Sequence, residues 1–104
     1  EEYFALSACP FDGIESPTIV AAQAANELLN IKGIKASFVL THYNNKIYIS
    51  ARSIDEVNVQ IIMEQLGGGG HQTVAGAQLE GCTLEDGLRR LKETIKRMLM
   101  EGDI

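Results

Sequence analysis

Four consecutive glycines followed by a histidine occupy residues 67–71. Fixing a glycine in a fold costs roughly 0.5–1 kcal/mol more than fixing an alanine, so a run of four needs a reason. One glycine is enough to end a helix, and a helix end is the simplest interpretation. Backbone N–H groups without a neighbouring Cβ can also approach an anion closely, and the imidazole of His71 can donate to the same anion. The run favours an anion-binding loop over a helix end.

This run differs from the common phosphate-binding motifs. A Walker loop precedes a helix and ends in Lys followed by Ser or Thr, whereas these glycines follow a helix-like stretch and include no Lys. A dinucleotide-binding fingerprint must follow a strand. An anion site at residues 67–71 would therefore be of another kind.

The charges are unevenly placed along a chain with a net charge of -5. Residues 1–31 and 55–88 contain acids and no Lys or Arg, and Arg52 is the only Lys or Arg between Lys46 and Arg89. Affinity for a long nucleic acid grows with the number of phosphates neutralised, which disfavours such a partner. A small anion held by Arg52 and backbone donors suits the chain better. The scattered Cys and His residues predict no metal site.

Two alternating segments, ASFVLTHY and KIYISARS, flank Asn44-Asn45 and predict a β-hairpin. A two-residue turn fixes which residues face each other. The expected apolar pairs are Leu40 with Ile49, Phe38 with Ala51, and His42 with Ile47. Arg52 should lie opposite Ser37 on the other face, away from the core.

The remaining patterns predict a single α/β domain. Its sheet should be mostly mixed, include the hairpin and pack with about three helices, in the order β-α-β-β-α-(Gly loop)-β-α. The flanking elements begin with a strand over 3–9 and a helix from Ser16-Pro17 to about Ile31, whose apolar positions include Ile19. A second helix is expected over 57–66, opened by a capping box at Ser53–Glu56, and a strand is expected within 73–81. The last helix should be capped by Thr83 and Asp86.

Three segments carry a resemblance to a known family: ISARS (49–53), VNVQIIMEQLGGGGH (57–71) and TVAGAQL (73–79). Together they resemble the DHH-associated C-terminal domain of the DHH phosphoesterase superfamily, with its S-x-R-S and GGGHxxAAG elements. Val74 stands where that pattern usually has a smaller residue. The flanking sequence looks most like the bacterial membrane-anchored cyclic-di-AMP phosphodiesterases, and the resemblance covers essentially residues 1–104.

The resemblance implies a substrate-binding set and no catalytic residue in this chain. Arg52 and Ser53 match the first element, and Asn58 is expected to assist. The glycine element supplies the other members of the expected set, namely Gly68, Gly69, Gly70, His71, Thr73, Ala75 and Gly76.

For the whole protein, the resemblance implies a phosphodiesterase that hydrolyses cyclic-di-AMP to pApA. Two Mn²⁺ ions are expected in an upstream DHH domain, in cis, and none in this chain, which should be inactive alone. The parent is expected to be cytoplasmic, tethered to the membrane through upstream segments, and a candidate homodimer. This domain itself should make no membrane contact.

Three other functions stay open. An oligoribonuclease or pAp phosphatase of the same superfamily would carry the same glycine and histidine elements. A single-strand nucleic-acid-binding module, as in the exonuclease branch, is disfavoured by the acidic composition and the few aromatic residues. A regulatory small-ligand module is opposed only by the resemblance.

Overall fold

A five-stranded mixed sheet and three helices make up the computed structural model, which describes residues 3–9, 17–43, 45–54 and 57–104. The strand order is β1-β2-β3-β5-β4, with only β1 and β2 parallel. The elements are β1 (Phe4–Cys9), α1 (Pro17–Leu28), β2 (Ala36–Tyr43), β3 (Lys46–Ser53), α2 (Val59–Gln65), β4 (Gly69–Gly70), β5 (Val74–Glu80) and α3 (Leu84–Glu101). The predicted α/β class and element order are confirmed, with a two-residue strand added within the glycine run.

The β2–β3 hairpin at the centre of the sheet has the predicted register. All three apolar pairs form, and Arg52 lies opposite Ser37. Asn45 has a φ of 62°, a left-handed conformation that asparagine tolerates in such a turn. Asn44 lies outside the described residues.

One face of the sheet, here called the core face, is buried beneath α2 and α3. Phe38, Leu40, Ile47 and Ile49 lie on it and are almost completely buried. An apolar stripe of α3 packs against them: its members are the buried Leu91, Ile95 and Met98 and the partly buried Leu84 and Leu88. No helix among the described residues is long and apolar enough to cross a lipid bilayer.

Helix α1 covers part of the opposite face. Its alanines Ala21 and Ala25 are fully buried against Val39, and the Ser37 hydroxyl donates to the Ala25 carbonyl at 2.6 Å. The helix ends at Leu28, three residues before the predicted end. Ile19, expected to pack, is 57% exposed, because the contact runs through small alanine side chains that let the helix lie close to the sheet.

Beyond α1, β3 and β5 leave a surface uncovered, here called the open face. The β3–β5 register places Arg52 opposite Val74, Ser50 opposite Gly76, and Tyr48 opposite Gln78. Side chains directly opposite each other in a sheet share a face, so these six residues lie together. Val74 is 45% exposed, whereas Tyr48, Ser50 and Arg52 on β3 are half-buried beside α1.

The predicted capping box at Ser53–Glu56 is wrong. Asn58 caps α2 instead, with its Oδ1 accepting from the Gln60 and Ile61 N–H groups at 3.0 and 3.4 Å. Ser53 is the last residue of β3, where the sheet fixes its backbone, and Glu56 lies outside the described residues. The Thr83–Asp86 capping box of α3 is confirmed, whereas the expected N-cap at Ser16 also lies outside the described residues.

Candidate functional site

The glycine run both ends α2 and returns the chain to the sheet. Gly67 has a φ of 83°, and its N–H donates to the Glu64 carbonyl, while the Gly68 N–H donates to the Met63 carbonyl at 2.8 Å. These are helix C-terminal contacts, for which a left-handed glycine is well suited. The sequence predicted that the next two glycines would be part of a loop. They form the edge strand β4 instead.

A tight turn connects β4 to β5. Gly69 lies opposite Gly76 and Gly70 lies opposite Ala75. The His71 N–H then donates to the Val74 carbonyl at 2.7 Å, which closes the turn over residues 72–73. Continuing the register by one residue places His71 opposite Val74, on the open face.

Three of the four glycines are required by the fold itself. Gly67 and Gly70 have positive φ values, of 83° and 141°. A Cβ on Gly68 would overlap the Gly76 carbonyl oxygen, and one on Gly70 would lie 2.6 Å from the Ala75 Cα. Gly69 differs, because it has no positive φ and a Cβ there would meet no atom within 4 Å. The local packing gives no reason for a glycine at position 69.

Most of the backbone donors of the run are already used. The N–H groups of Gly67, Gly68 and His71 each donate to a backbone carbonyl. In an antiparallel ladder, hydrogen-bonded and non-hydrogen-bonded pairs alternate, so the Gly70 N–H points away from β5 toward the free edge of the sheet. The sequence predicted that the glycines would supply a row of free N–H donors. Their main contribution is instead the space that they leave over the sheet.

Arg52 places a positive charge on the open face. Its Nη1 donates to the Ala51 carbonyl at 2.8 Å, and it makes no ion pair with a carboxylate within the described part of the chain. Burial lowers the pKa of Arg52 below its ordinary value, because desolvation disfavours the charged form. A guanidinium nevertheless stays protonated in proteins, so Arg52 presents a partly desolvated cation whose remaining donors can bind an anion.

The structure brings His71 to the same surface as Arg52. The two residues flank Val74 across the sheet, one on β3 and the other at the end of β4. Two strand spacings separate their backbones by about 10 Å, a gap that two long polar side chains and one ligand can fill. The His71 side chain is exposed and therefore accessible to such a ligand.

Four other members of the expected set lie elsewhere. Ser53 and Ala75 point to the core face, where they are 7% and 6% exposed. The Ser53 hydroxyl contacts the Val57 and Gln72 carbonyls at 2.6 and 3.3 Å. Asn58 uses its side-chain oxygen as the α2 cap, and the Thr73 carbonyl accepts from the Ser53 N–H in the turn. These four residues stabilise the strands, the turn and the helix that position the site.

The expected set contains only Gly68 and Gly76 among the residues that line a cleft of about 490 Å³ on the open face. Its lining includes Tyr48, Ser50, Gln78 and the Gly67-Gly68 pair. Tyr48 and Ser50 alternate with Arg52 along β3, so the hairpin pattern already carried the signal for them. Gln78 carried none, because its place opposite Tyr48 depends on the pairing of β3 with β5.

A metal site is not formed by the residues that the structure describes. Among them, no group of three or more His, Cys, Asp or Glu side chains is arranged to hold a metal ion. The side chains gathered on the open face are a cation, a histidine, hydroxyls and an amide, with the Lys46–Glu80 ion pair at one end.

Comparison with known proteins gives a consistent result. The model of the DHHA1 domain family matches residues 4–101. The chain is 46% identical over 82 residues to the cyclic-di-AMP phosphodiesterase PdeA of Listeria monocytogenes, and 49% identical over 85 residues to the cyclic-di-AMP phosphodiesterase GdpP of Bacillus subtilis. These alignments cover 78% and 81% of the chain, but only 12% and 13% of the two relatives.

The fold matches a solved structure as well. An exopolyphosphatase-related protein from Bacteroides fragilis superposes with a TM-score of 0.76 at 22% identity, covering 93% of this chain and 29% of that one. At this identity the likeness concerns the fold alone.

Proposed function

This chain belongs to the DHHA1 domain family, and on that premise we propose that it is the substrate-binding domain of a phosphodiesterase that hydrolyses cyclic-di-AMP to linear pApA. The similarity to PdeA and GdpP supports the reaction class. Since the chain spans about an eighth of each relative, the activity of the whole protein is part of the proposal.

The proposal that this domain binds substrate rests on one arrangement of residues on the open face. By the sheet register Arg52, the Gly69–Gly76 pair and His71 share the open face, and a Cβ on Gly69 would meet no atom within 4 Å. The absence of two Cβ atoms lets a ligand lie close to the backbone beside Val74, which stands between the cation and the imidazole. A phosphodiester has the charge and size for this position.

The proposed roles follow from the donors that remain. Arg52 binds phosphate oxygens through two parallel N–H groups, a geometry that Lys cannot reproduce. His71 donates one further hydrogen bond, and Gly70 offers its N–H at the edge of the sheet. Negative charge collects on the phosphoryl oxygens as the phosphodiester is attacked, so donors fixed in advance stabilise that state more than the ground state.

The hydrolytic step belongs to another part of the parent protein. An upstream DHH domain with two Mn²⁺ ions would supply the activated water. The present chain would hold and orient the substrate and would not hydrolyse it alone. The parent is proposed to be a cytoplasmic enzyme tethered to the membrane by upstream segments, with homodimerisation as a further proposal.

Steady-state hydrolysis by the full-length protein tests this function. Cyclic-di-AMP, pAp, a short oligoribonucleotide and single-stranded DNA are offered separately with Mn²⁺ present. The proposal expects the highest kcat/KM for cyclic-di-AMP, with pApA as product. Preference for pAp or the oligoribonucleotide would contradict it and favour the nuclease branch, and tightest binding to DNA with a steep salt dependence would favour an exonuclease module.

A further inference from the structure

The open face extends beyond the proposed phosphate position into the cleft of about 490 Å³. Along β3 the side chains on this face run from Arg52 through Ser50 to Tyr48. Two residues of a strand advance by about 6.8 Å, so Tyr48 lies about 13 Å from Arg52 along the backbone. A phosphate bound at Arg52 would leave the rest of a nucleotide over Ser50 and Tyr48.

We infer that Tyr48 and Gln78 form a subsite for the purine base of the nucleotide whose phosphate Arg52 holds. This inference rests on the proposed function and adds which residues bind the base and which base they favour. Tyr48 and Gln78 lie directly opposite each other on β3 and β5, and both line the cleft.

The ring of Tyr48 provides a stacking surface with a fixed orientation. It lies 6.4 Å from the Tyr43 ring, centroid to centroid, with the planes tilted by 51°. This is a favourable aromatic pair, and it restrains the Tyr48 side chain before any ligand binds. Between Tyr48 and Arg52, Ser50 and Gly76 form a low floor on which a sugar can rest without meeting a large side chain.

Gln78 provides the polar contact. Its side chain is exposed, and no residue in the described part of the chain accepts or donates a hydrogen bond to its carboxamide. A carboxamide offers one donor and one acceptor, which match N7 and the N6 amino group of adenine. Guanine presents two acceptors, N7 and O6, on the same edge and satisfies only the donor. The subsite therefore favours adenine.

The charges at the two ends of the open face favour one orientation of the bound nucleotide. Glu80 lines the cleft at the end away from Arg52, with its carboxylate 3.5 Å from the Lys46 ammonium. The carboxylate neutralises that ammonium, so this end offers a phosphate no net positive charge, whereas Arg52 makes no ion pair within the described residues. The phosphate belongs near Arg52 and the base near Tyr48.

The experiment measures both KM and equilibrium binding with the full-length protein. Tyr48→Ala is expected to raise the KM for cyclic-di-AMP about tenfold or more, with kcat little changed, since stacking acts on substrate and transition state alike. Tyr48→Phe keeps the ring and should restore the wild-type KM. Gln78→Leu should lower the preference for cyclic-di-AMP over cyclic-di-GMP by about tenfold. Gln23→Leu, at an exposed glutamine of α1 outside the cleft lining, is the matched control and should change neither quantity.

The outcomes separate this inference from the proposed reaction. Unchanged KM in Tyr48→Ala together with unchanged purine preference in Gln78→Leu would overturn the base subsite while the reaction stands. Binding of pApA with the expected losses in both variants, but no hydrolysis of cyclic-di-AMP, would support the subsite and overturn the reaction. Failure of the wild-type protein to bind either cyclic-di-AMP or pApA would overturn both.

Discussion

Gly69 lies directly opposite Gly76 across the β4–β5 pair, and a Cβ added to Gly69 would meet no atom within 4 Å. Its neighbours Gly68 and Gly70 would each bring a Cβ into contact with β5. The run of four glycines therefore contains three that the fold requires and one that it does not. The position of Gly69, on the face that carries Arg52, suggests that a ligand is the reason for the fourth.

Alanine substitutions at Gly69 and Gly68 should have opposite effects. Gly69→Ala is expected to leave the free energy of unfolding within about 1 kcal/mol of wild type, because its backbone conformation suits alanine. It should nevertheless raise the KM for cyclic-di-AMP severalfold, since the methyl group would occupy the ligand's space. Gly68→Ala is expected to destabilise the protein by about 1–3 kcal/mol through overlap with β5. Thermal denaturation and steady-state kinetics measure the two effects, and a Gly69→Ala variant with unchanged kinetics would show that the glycine faces no ligand.

Substitution of Arg52 should impair substrate binding without unfolding the protein. Within the described residues its side chain donates only to the carbonyl of its neighbour Ala51, so little packing depends on it. Arg52→Ala is expected to lower kcat/KM. The lost transition-state stabilisation should be about 2–3 kcal/mol, within the range for hydrogen bonds to charged groups.

Arg52→Lys is the informative companion of that variant. It keeps the charge but loses the forked pair of donors, so it should recover only part of the lost kcat/KM. Full recovery would mean that charge alone is needed at position 52.

The part of the site made by local alternation was predictable from the sequence. The hairpin pattern and its turn residues predict that Arg52 lies opposite Ser37 and faces away from the core, and both predictions are confirmed. The α3 stripe and its Thr83–Asp86 cap were likewise predictable, because helix periodicity and capping act over a few residues.

The parts that depend on distant pairing were not predictable. Whether Gly69 and Gly70 form a loop or a strand depends on β5, which follows only after the turn. The His71 N–H depends on β5 as well, because it donates to the Val74 carbonyl. The spacing of Ser53 and Glu56 predicted that Ser53 caps a helix. Ser53 lies in β3 instead, and α2 begins beyond it, at Val59. Motif matching also placed Ser53 next to Arg52 in the site, although adjacent strand residues point to opposite faces.

Ser53 should matter for stability and not for substrate binding. Its buried hydroxyl links the chain before α2 to the turn after β4 through the Val57 and Gln72 carbonyls. Ser53→Ala is expected to lower the free energy of unfolding by about 1–3 kcal/mol, because the Val57 carbonyl loses its side-chain donor, while the Gln72 carbonyl keeps the Val59 N–H. Chemical denaturation measures this loss. The KM of the folded enzyme at low temperature should remain unchanged, and a large rise in KM with normal stability would place Ser53 in contact with the ligand.

His71 should contribute a hydrogen bond to the substrate. His71→Ala is expected to reduce kcat/KM by roughly tenfold, about the value of one lost hydrogen bond. His71→Gln keeps an N–H donor and should reduce it less. Because the His71 backbone N–H closes the turn in any of these variants, their melting temperatures should match that of wild type. Equal losses for the two substitutions would indicate that the imidazole itself, and not merely a donor, is required.

The most direct measurement is a crystal structure of the full-length protein with a phosphorothioate analogue of cyclic-di-AMP, in which anomalous scattering locates the sulfur. We expect sulfur on the open face above Gly69 and Gly76, with a phosphate oxygen about 3 Å from an Arg52 guanidinium nitrogen and the His71 imidazole within reach. Sulfur located on the far side of the sheet, or more than a side chain's length from Arg52 while hydrolysis is intact, would show that the open face does not bind the phosphate.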